Sequence, residues 1–323
     1  MLTKQTQAES RGSPTPCADD ILRRVAACTL AIDWRAGSSL GQAGLRKSRL
    51  HGDQGDFHAL KPFAPGDRVR AINWRATAAT GAQLVLREVR LEEQPIDVFM
   101  IVNTGASMDF GTVRVLKRHA AAEVTAVVAL SAMQGKDRLG SITYSEQGVQ
   151  SSFPARSPQQ HALPAIGAVL DNDRGAVGGV RSAAGLTISG AALGQALSLL
   201  PRRRSLVFIA SDFFECDADE NRAALEYAAA VHQLVAIHIE DPRENELPDR
   251  FGIVSLTAIG GMAQKTVLLT GQSRRRFAQQ ACDRKAELQR LFERLSVPLV
   301  TICTAEQPET YADRLQVALE DAC

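Results

Sequence analysis

Three short apolar runs constrain this chain more than any other feature: IDVFMIVN at 96–103, SLVFIAS at 205–211 and LVAIHIE at 234–240. Near-continuous apolar runs bounded by turn signals read as strands buried on both faces, the kind found in parallel sheets covered by helices. Helical periodicity fills the intervals, at 112–134, 157–170, 189–200 and 218–232. RLGSITYS (138–145) and GVQSSF (148–153) read as two more strands, with Glu146-Gln147 as their turn. Further on come a hairpin over 251–270, a long helix over 273–295, a strand at 297–303 and a closing helix at 307–321. This alternation predicts an α/β fold with a doubly wound, mostly parallel sheet over 95–323. In such sheets ligands sit beyond the carboxyl ends of the strands, near a topological switch point. The loops after residues 103 and 211 are therefore the places to look.

Upstream, residues 1–18 read as a disordered tail and 19–94 as an N-terminal helix (21–32) followed by a turn-dense, β-rich segment. The charges nearly cancel, leaving a net +1, so nothing pulls the whole molecule toward nucleic acid or an anionic membrane. No apolar run reaches the roughly 18 residues that a membrane-spanning helix needs, so direct membrane insertion is not expected. The polar N-terminus has no secretory h-region. The six cysteines (17, 28, 216, 282, 303 and 323) have no metal-like spacing and fit free thiols in a reducing compartment. The expectation is a cytoplasmic protein.

Catalytic signatures are missing. The chain has no G-x-x-x-x-G-K-[ST], no strand-linked G-x-G-x-x-G, no G-x-S-x-G and no H-E-x-x-H. Its six histidines (51, 58, 119, 161, 232 and 238) are scattered. The sequence thus offers no support for an enzyme, and a non-enzymatic binding role is expected.

Three loops carry a different pattern. The first buried strand runs into Asn103-Thr104-Gly105-Ala106-Ser107, Thr187 stands just before a helix, and the second buried strand ends in Ser211-Asp212-Phe213. In order and strand context these resemble the metal-ion-dependent adhesion site of von Willebrand factor A domains. There the first loop reads Asp-x-Ser-x-Ser, the second supplies a Thr and the third an Asp. The resemblance implies a sheet of von Willebrand factor A type, with Asn103, Ser107, Thr187 and Asp212 at the ligand positions. Mg²⁺ takes near-octahedral oxygen ligands and gives up water reluctantly. Asn103 in place of Asp and Gly105 in place of Ser remove one charge and one hydroxyl. A degenerate site follows, holding Mg²⁺ or another divalent cation weakly or not at all. On the plainer reading, the same four residues hold the loops by hydrogen bonds alone.

A second motif lies upstream. Phe63-Ala64-Pro65-Gly66-Asp67-Arg68-Val69-Arg70-Ala71-Ile72-Asn73-Trp74-Arg75 continues to Leu84-Val85-Leu86-Arg87-Glu88. This closely resembles the hallmark of the bacterial domain-of-unknown-function family 58, departing from it at Asn73, where the pattern has Asp. Trp74 beside Ile72 is expected to pack on the A-like domain. Arg70, Arg75 and Arg87 with Asp67 and Glu88 could form an ion-pair clasp. Alternatively, Pro65, Gly66, Asp67, Arg70, Trp74, Arg75, Arg87 and Glu88 form a partner-contact face. Nucleic acid is not expected there, because aromatics are not interleaved with the charges as stacking platforms.

The family resemblance implies a function that composition and spacing do not. Such proteins are encoded beside MoxR-type AAA+ ATPases. A co-chaperone or adaptor is implied, one that helps the ATPase mature, or insert metal into, a client enzyme complex. The alternative is a stand-alone metal-dependent protein-binding module, against which Asn103 and Gly105 both count.

Overall fold

The computed structural model describes residues 16–28, 51–52, 56–64, 69–79, 86–91, 95–171, 192–245, 252–257 and 264–321. The chain divides into two compact units, one of Met1–Ile32 with Asp97–Ala322 and one of Asp33–Ile96.

The smaller unit holds strands β1 (His51–Gly52) and β2 (Asp56–Pro62), the short helix α2 (Trp74–Ala79) and strand β3 (Leu86–Leu91). β3 lies between β1 and β2, antiparallel to both. It is the β-rich elaboration expected before the main sheet.

The larger unit opens with helix α1 (Ala18–Val25). Strand β4 (Asp97–Asn103), helix α3 (Lys117–Gln134), strands β5 (Arg138–Ser145) and β6 (Gly148–Arg156), and helix α4 (Pro158–Leu170) follow. Next come α5 (Ala192–Ser198), β7 (Leu206–Ser211), α6 (Asp219–Val231), β8 (Gln233–Glu240) and α7 (Pro242–Asn245). The unit ends with β9 (Gly252–Thr257), β10 (Gln264–Leu269), α8 (Gly271–Arg294), β11 (Leu299–Cys303) and α9 (Pro308–Asp321). Six strands form one sheet in the order β11-β8-β7-β4-β5-β6. Every neighbouring pair is parallel except β5 and β6. The chain starts in the middle at β4, fills one side, and returns to β7 to fill the other. The doubly wound, mostly parallel sheet is therefore present, and its switch point lies between β4 and β7. β9 and β10 pair as the antiparallel hairpin that the sequence suggests.

Burial explains the apolar runs. All seven residues of β4 are buried, and Val98, Met100, Ile101 and Val102 are wholly enclosed. Phe99 and Ile101 face one helical layer with Leu193 of α5, Leu225 of α6 and Phe292 of α8. On the other side α3 packs against β4, β5 and β8. α3 is itself covered by α1, α4 and α9. That double covering accounts for the Ala/Val-rich sequence of α3, since a helix apolar on most sides is a buried one.

Several boundaries differ from the sequence reading, and the helix expected over 21–32 spans Ala18–Val25 instead. The helix expected from residue 112 starts at Lys117. Residues 110–116 form a tight loop in which a Cβ on Gly111 would lie 2.4 Å from the Val115 carbonyl oxygen. The helix assigned to the N-terminal segment packs instead in the larger unit, because Ile21 and Val25 bury completely against it. Most of the expected tail lies outside the described residues.

One buried anion ties these helices together. The side chain of Glu123, in the middle of α3, is wholly buried. It accepts two hydrogen bonds from Arg114 at 2.8 and 2.7 Å, one from Arg24 of α1 at 3.1 Å and one from Tyr311 of α9 at 3.2 Å. Burial, then the nearby Glu123 charge, pushes the Tyr311 hydroxyl above its usual range. Removing one member of a buried pair strands the other. Glu123→Ala should therefore lower stability in urea titration by about 3–5 kcal/mol.

Candidate functional site

The carboxyl ends of β4 and β7 lie side by side at the switch point, and three of the four predicted loop residues collect there. Asn103 is the last residue of β4 and is 6% exposed. Its side-chain oxygen accepts the Gly105 backbone N–H at 2.8 Å. Its amide nitrogen donates to the Ser211 hydroxyl at 3.2 Å and to Glu215 Oε2 at 3.5 Å. Ser107 is buried in a 3₁₀ turn, Ala106–Asp109. Asp212 is buried just after β7. Thr187 lies outside the described residues.

The sequence did not single out the other members of this site. Glu215 Oε1 accepts hydrogen bonds from Ser211 at 2.7 Å and from Tyr144 at 2.5 Å. Burial, then the Asp212 charge, raises the Glu215 carboxyl above the usual carboxylate range. Glu146, at the β5–β6 turn, accepts the Ala106 N–H at 3.0 Å. A Cβ on Gly105 would lie 2.4 Å from its Oε1. The glycine at the family's serine position is thus where a carboxylate leans onto the loop backbone. Phe213, after Asp212, has φ +54°. Such a conformation costs a non-glycine residue about 1–2 kcal/mol. It is held by Phe292, edge-on at 5.0 Å, and by the Phe213 N–H donating to Ser211 Oγ at 3.0 Å.

Asp212 faces a cation that is part of the chain. Lys117, the first residue of α3, is wholly buried. Its Nζ lies 3.0 Å from Asp212 Oδ2 and 2.7 Å from Glu244 Oε1 on α7. A cation is disfavoured at a helix N-terminus, and no acidic residue stands in the first turn of α3. The carboxylates from two other elements are what hold it. Beside them, Asp241 accepts from the Thr112 hydroxyl at 2.6 Å and the Thr304 hydroxyl at 2.7 Å. Burial works to raise this carboxyl, but these bonds outweigh it and hold it below its ordinary value. A cavity of about 740 Å³ opens on the far side, lined by Asp212, Phe213, Phe214, His238, Arg284 and Leu288 among others.

These residues do not fit a divalent cation. Asn103 spends its oxygen on the Gly105 N–H and points donors, not lone pairs, at Ser211 and Glu215. Position 105 has no hydroxyl. Asp212 Oδ1 is buried without a hydrogen-bond partner, but its other oxygen is paired with an ammonium. A divalent ion about 4 Å from that ammonium would be repelled by about 8 kcal/mol at an effective dielectric of 20. Among the described residues no group of three or more His, Cys, Asp or Glu side chains is arranged to hold a metal.

The hallmark segment belongs to the smaller unit. Asn73 Oδ1 accepts the Ala76 N–H at 3.0 Å and so caps α2. Asn and Asp cap equally well, which explains why the departure from the family pattern is tolerated. Trp74 is 66% exposed. Val69 is 65% exposed, and Arg70 and Arg75 are exposed beside them. Arg87 and Glu88 lie in β3, in register with Lys61 and Leu60. Pro65, Gly66 and Asp67 lie outside the described residues.

The fold is that of a doubly wound α/β domain with a mostly parallel six-stranded sheet. Comparison with known proteins gives the family. Residues 59–287 match the family described as Protein of unknown function DUF58, and the chain belongs to it. Relatives include "Uncharacterized protein Rv1480" of Mycobacterium tuberculosis, 28% identical over 242 residues, 75% of this chain and 72% of that protein. "Uncharacterized protein MAV169" of Mycobacterium avium is 30% identical over 151 residues, 47% of this chain and 83% of that protein. Among solved structures, BatB from Bacteroides thetaiotaomicron aligns with a TM-score of 0.40 at 13% identity, covering 70% of this chain and 98% of that one. A von Willebrand factor type A protein from Catenulispora acidiphila aligns at 0.36 and 13% identity, covering 72% and 44%. Among the described residues no helix is long and apolar enough to cross a membrane.

His238 gives the site a pH dependence. It is buried at the end of β8 with its ring 6.4 Å from Phe213, and burial lowers its pKa to about 4. The unfolded chain takes up this proton near pH 6.5, so His238's contribution to stability is complete above that pH and is lost as pH falls toward 4. The loss amounts to about 3 kcal/mol. His119 and His232, also lowered by burial, act in the same direction. Denaturant titrations between pH 7 and 4 should show a shallower fall for His238→Phe than for the native chain.

Proposed function

We propose that this chain is a non-enzymatic adaptor that docks on a MoxR-type AAA+ ATPase and assists it in maturing, or inserting metal into, a client enzyme complex. The ATPase and client come from the family resemblance, and the adaptor role is supported by the surface of the smaller unit. The observation that carries it is the exposure of Val69 and Trp74 beside Arg70 and Arg75, all inside the family hallmark. Trp and Arg are the residue types that most often dominate protein–protein binding energy. Left in water, an indole and an isopropyl group cost free energy that a partner's surface recovers. The two guanidiniums suit a partner patch rich in carboxylates.

The strand-end site favours binding over catalysis. Asn103, Tyr144, Ser211 and Glu215 hydrogen-bond to one another. The Ser211 hydroxyl donates to Glu215 in an arrangement that holds a loop. The reading places the adaptor in the cytoplasm, where its ATPase partner is supplied with ATP.

Affinity capture from the protein's own cells tests this, in ATP with Mg²⁺, comparing the native chain with Trp74→Ala/Arg75→Ala and with Asp212→Asn. The native chain should enrich an AAA+ ATPase. The double variant should lose that enrichment by about tenfold or more, as for a hot spot. Asp212→Asn should retain it if it remains folded by circular dichroism. Capture of no ATPase by the native chain overturns the proposal, and loss confined to Asp212→Asn moves the contact to the strand ends.

A further inference from the structure

We infer that the Lys117 ammonium is the resident cation of the strand-end site, standing where the fold's adhesion site would carry a divalent metal, so that the site is assembled and held without metal. The inference rests on the geometry around Asp212 and is independent of the adaptor reading.

Four observations converge. First, Asp212 is the carboxylate that this chain retains from the family pattern, and its Oδ2 is 3.0 Å from Lys117 Nζ. Second, the ammonium is completely enclosed, with a second carboxylate, Glu244 Oε1, at 2.7 Å and the Phe214 ring 5.7 Å away. A buried ammonium surrounded by two carboxylates and an aromatic face is a satisfied cation. Third, the two departures from the metal pattern remove metal ligands without leaving a gap. Asn103 hydrogen-bonds to the loop backbone and to Ser211, and Gly105 makes room for Glu146. Fourth, Glu244 Oε2 accepts the Asp241 N–H at 3.1 Å, so the second carboxylate is itself oriented by the backbone.

A metal ion links loops by sharing ligands among them. Lys117, anchored on α3, does the same through hydrogen-bonded ion pairs to the loop after β7 and to α7. One consequence follows for binding. A metal with an open position can accept a partner's carboxylate, whereas an enclosed ammonium cannot. This chain's strand ends therefore do not recruit an acidic side chain through a shared metal.

The test is thermal unfolding of the full chain, native and variant, in EDTA and in millimolar MgCl₂ or MnCl₂. A bound metal at concentrations well above its Kd would raise Tm by several degrees. The native chain should unfold within about 1 °C in all three conditions. Asp212→Asn should lower Tm by the same amount with and without metal, because the pair it breaks is internal. Lys117→Ala should lower Tm and gain a Mn²⁺-dependent recovery, since it leaves two facing carboxylates. If Lys117→Ala does not fold, the native chain and Asp212→Asn still decide. A saturable rise in native Tm with Mg²⁺ or Mn²⁺, abolished in Asp212→Asn, overturns the inference.

Discussion

The enclosed ion pair between Lys117 and Asp212 is the contact on which the strand-end architecture depends. It joins the start of α3 to the loop after β7 across the switch point, and Glu244 extends it to α7. Burying a lysine costs several kcal/mol in desolvation unless its charge is matched. Two carboxylates match it, and loss of the ammonium would leave the buried Asp212 without its counter-charge. Around this pair the loops are fixed by shorter-range bonds. Asp241 gathers Thr112 and Thr304, Glu215 gathers Ser211 and Tyr144, and Glu146 holds the Ala106 backbone. The strained backbone at Phe213 is tolerated because its ring is clamped in the core.

The strand ends are closed by an enclosed ion pair and by hydrogen bonds among their own side chains. Val69 and Trp74 stand exposed beside Arg70 and Arg75 in the smaller unit, in the segment that marks the family. Charge alone would not have separated these regions, because the chain is nearly neutral and its arginines are widely spread. Burial separates them: Lys117 is wholly enclosed and Trp74 is mostly in water.

Much of the main sheet was legible in the sequence for one physical reason. A strand covered on both faces is apolar at most positions, so IDVFMIVN and LVAIHIE read as buried strands rather than as surface strands or loops. The antiparallel β5–β6 hairpin was legible from its turn, and the location of the site followed from the parallel order. What was not legible depended on distant partners. Lys117 reads as an ordinary helix-surface cation until Asp212, 95 residues on, is placed beside it. Its one local signal is a pair of cations at a helix start with no acid in the first turn. The start of α3 was placed too early because the 110–116 loop is fixed by Thr112 bonding to Asp241, 129 residues away. Strand β2 and helix α2 were missed because short elements between frequent turns leave no periodicity to read.

The most direct test of the lysine-for-metal account is a crystal structure of the native chain grown in millimolar MnCl₂, with data collected at the manganese edge. The account predicts no anomalous peak at Asp212 and clear density for the Lys117 ammonium between Asp212 and Glu244. An anomalous peak within bonding distance of Asp212, with Lys117 turned away, would contradict it.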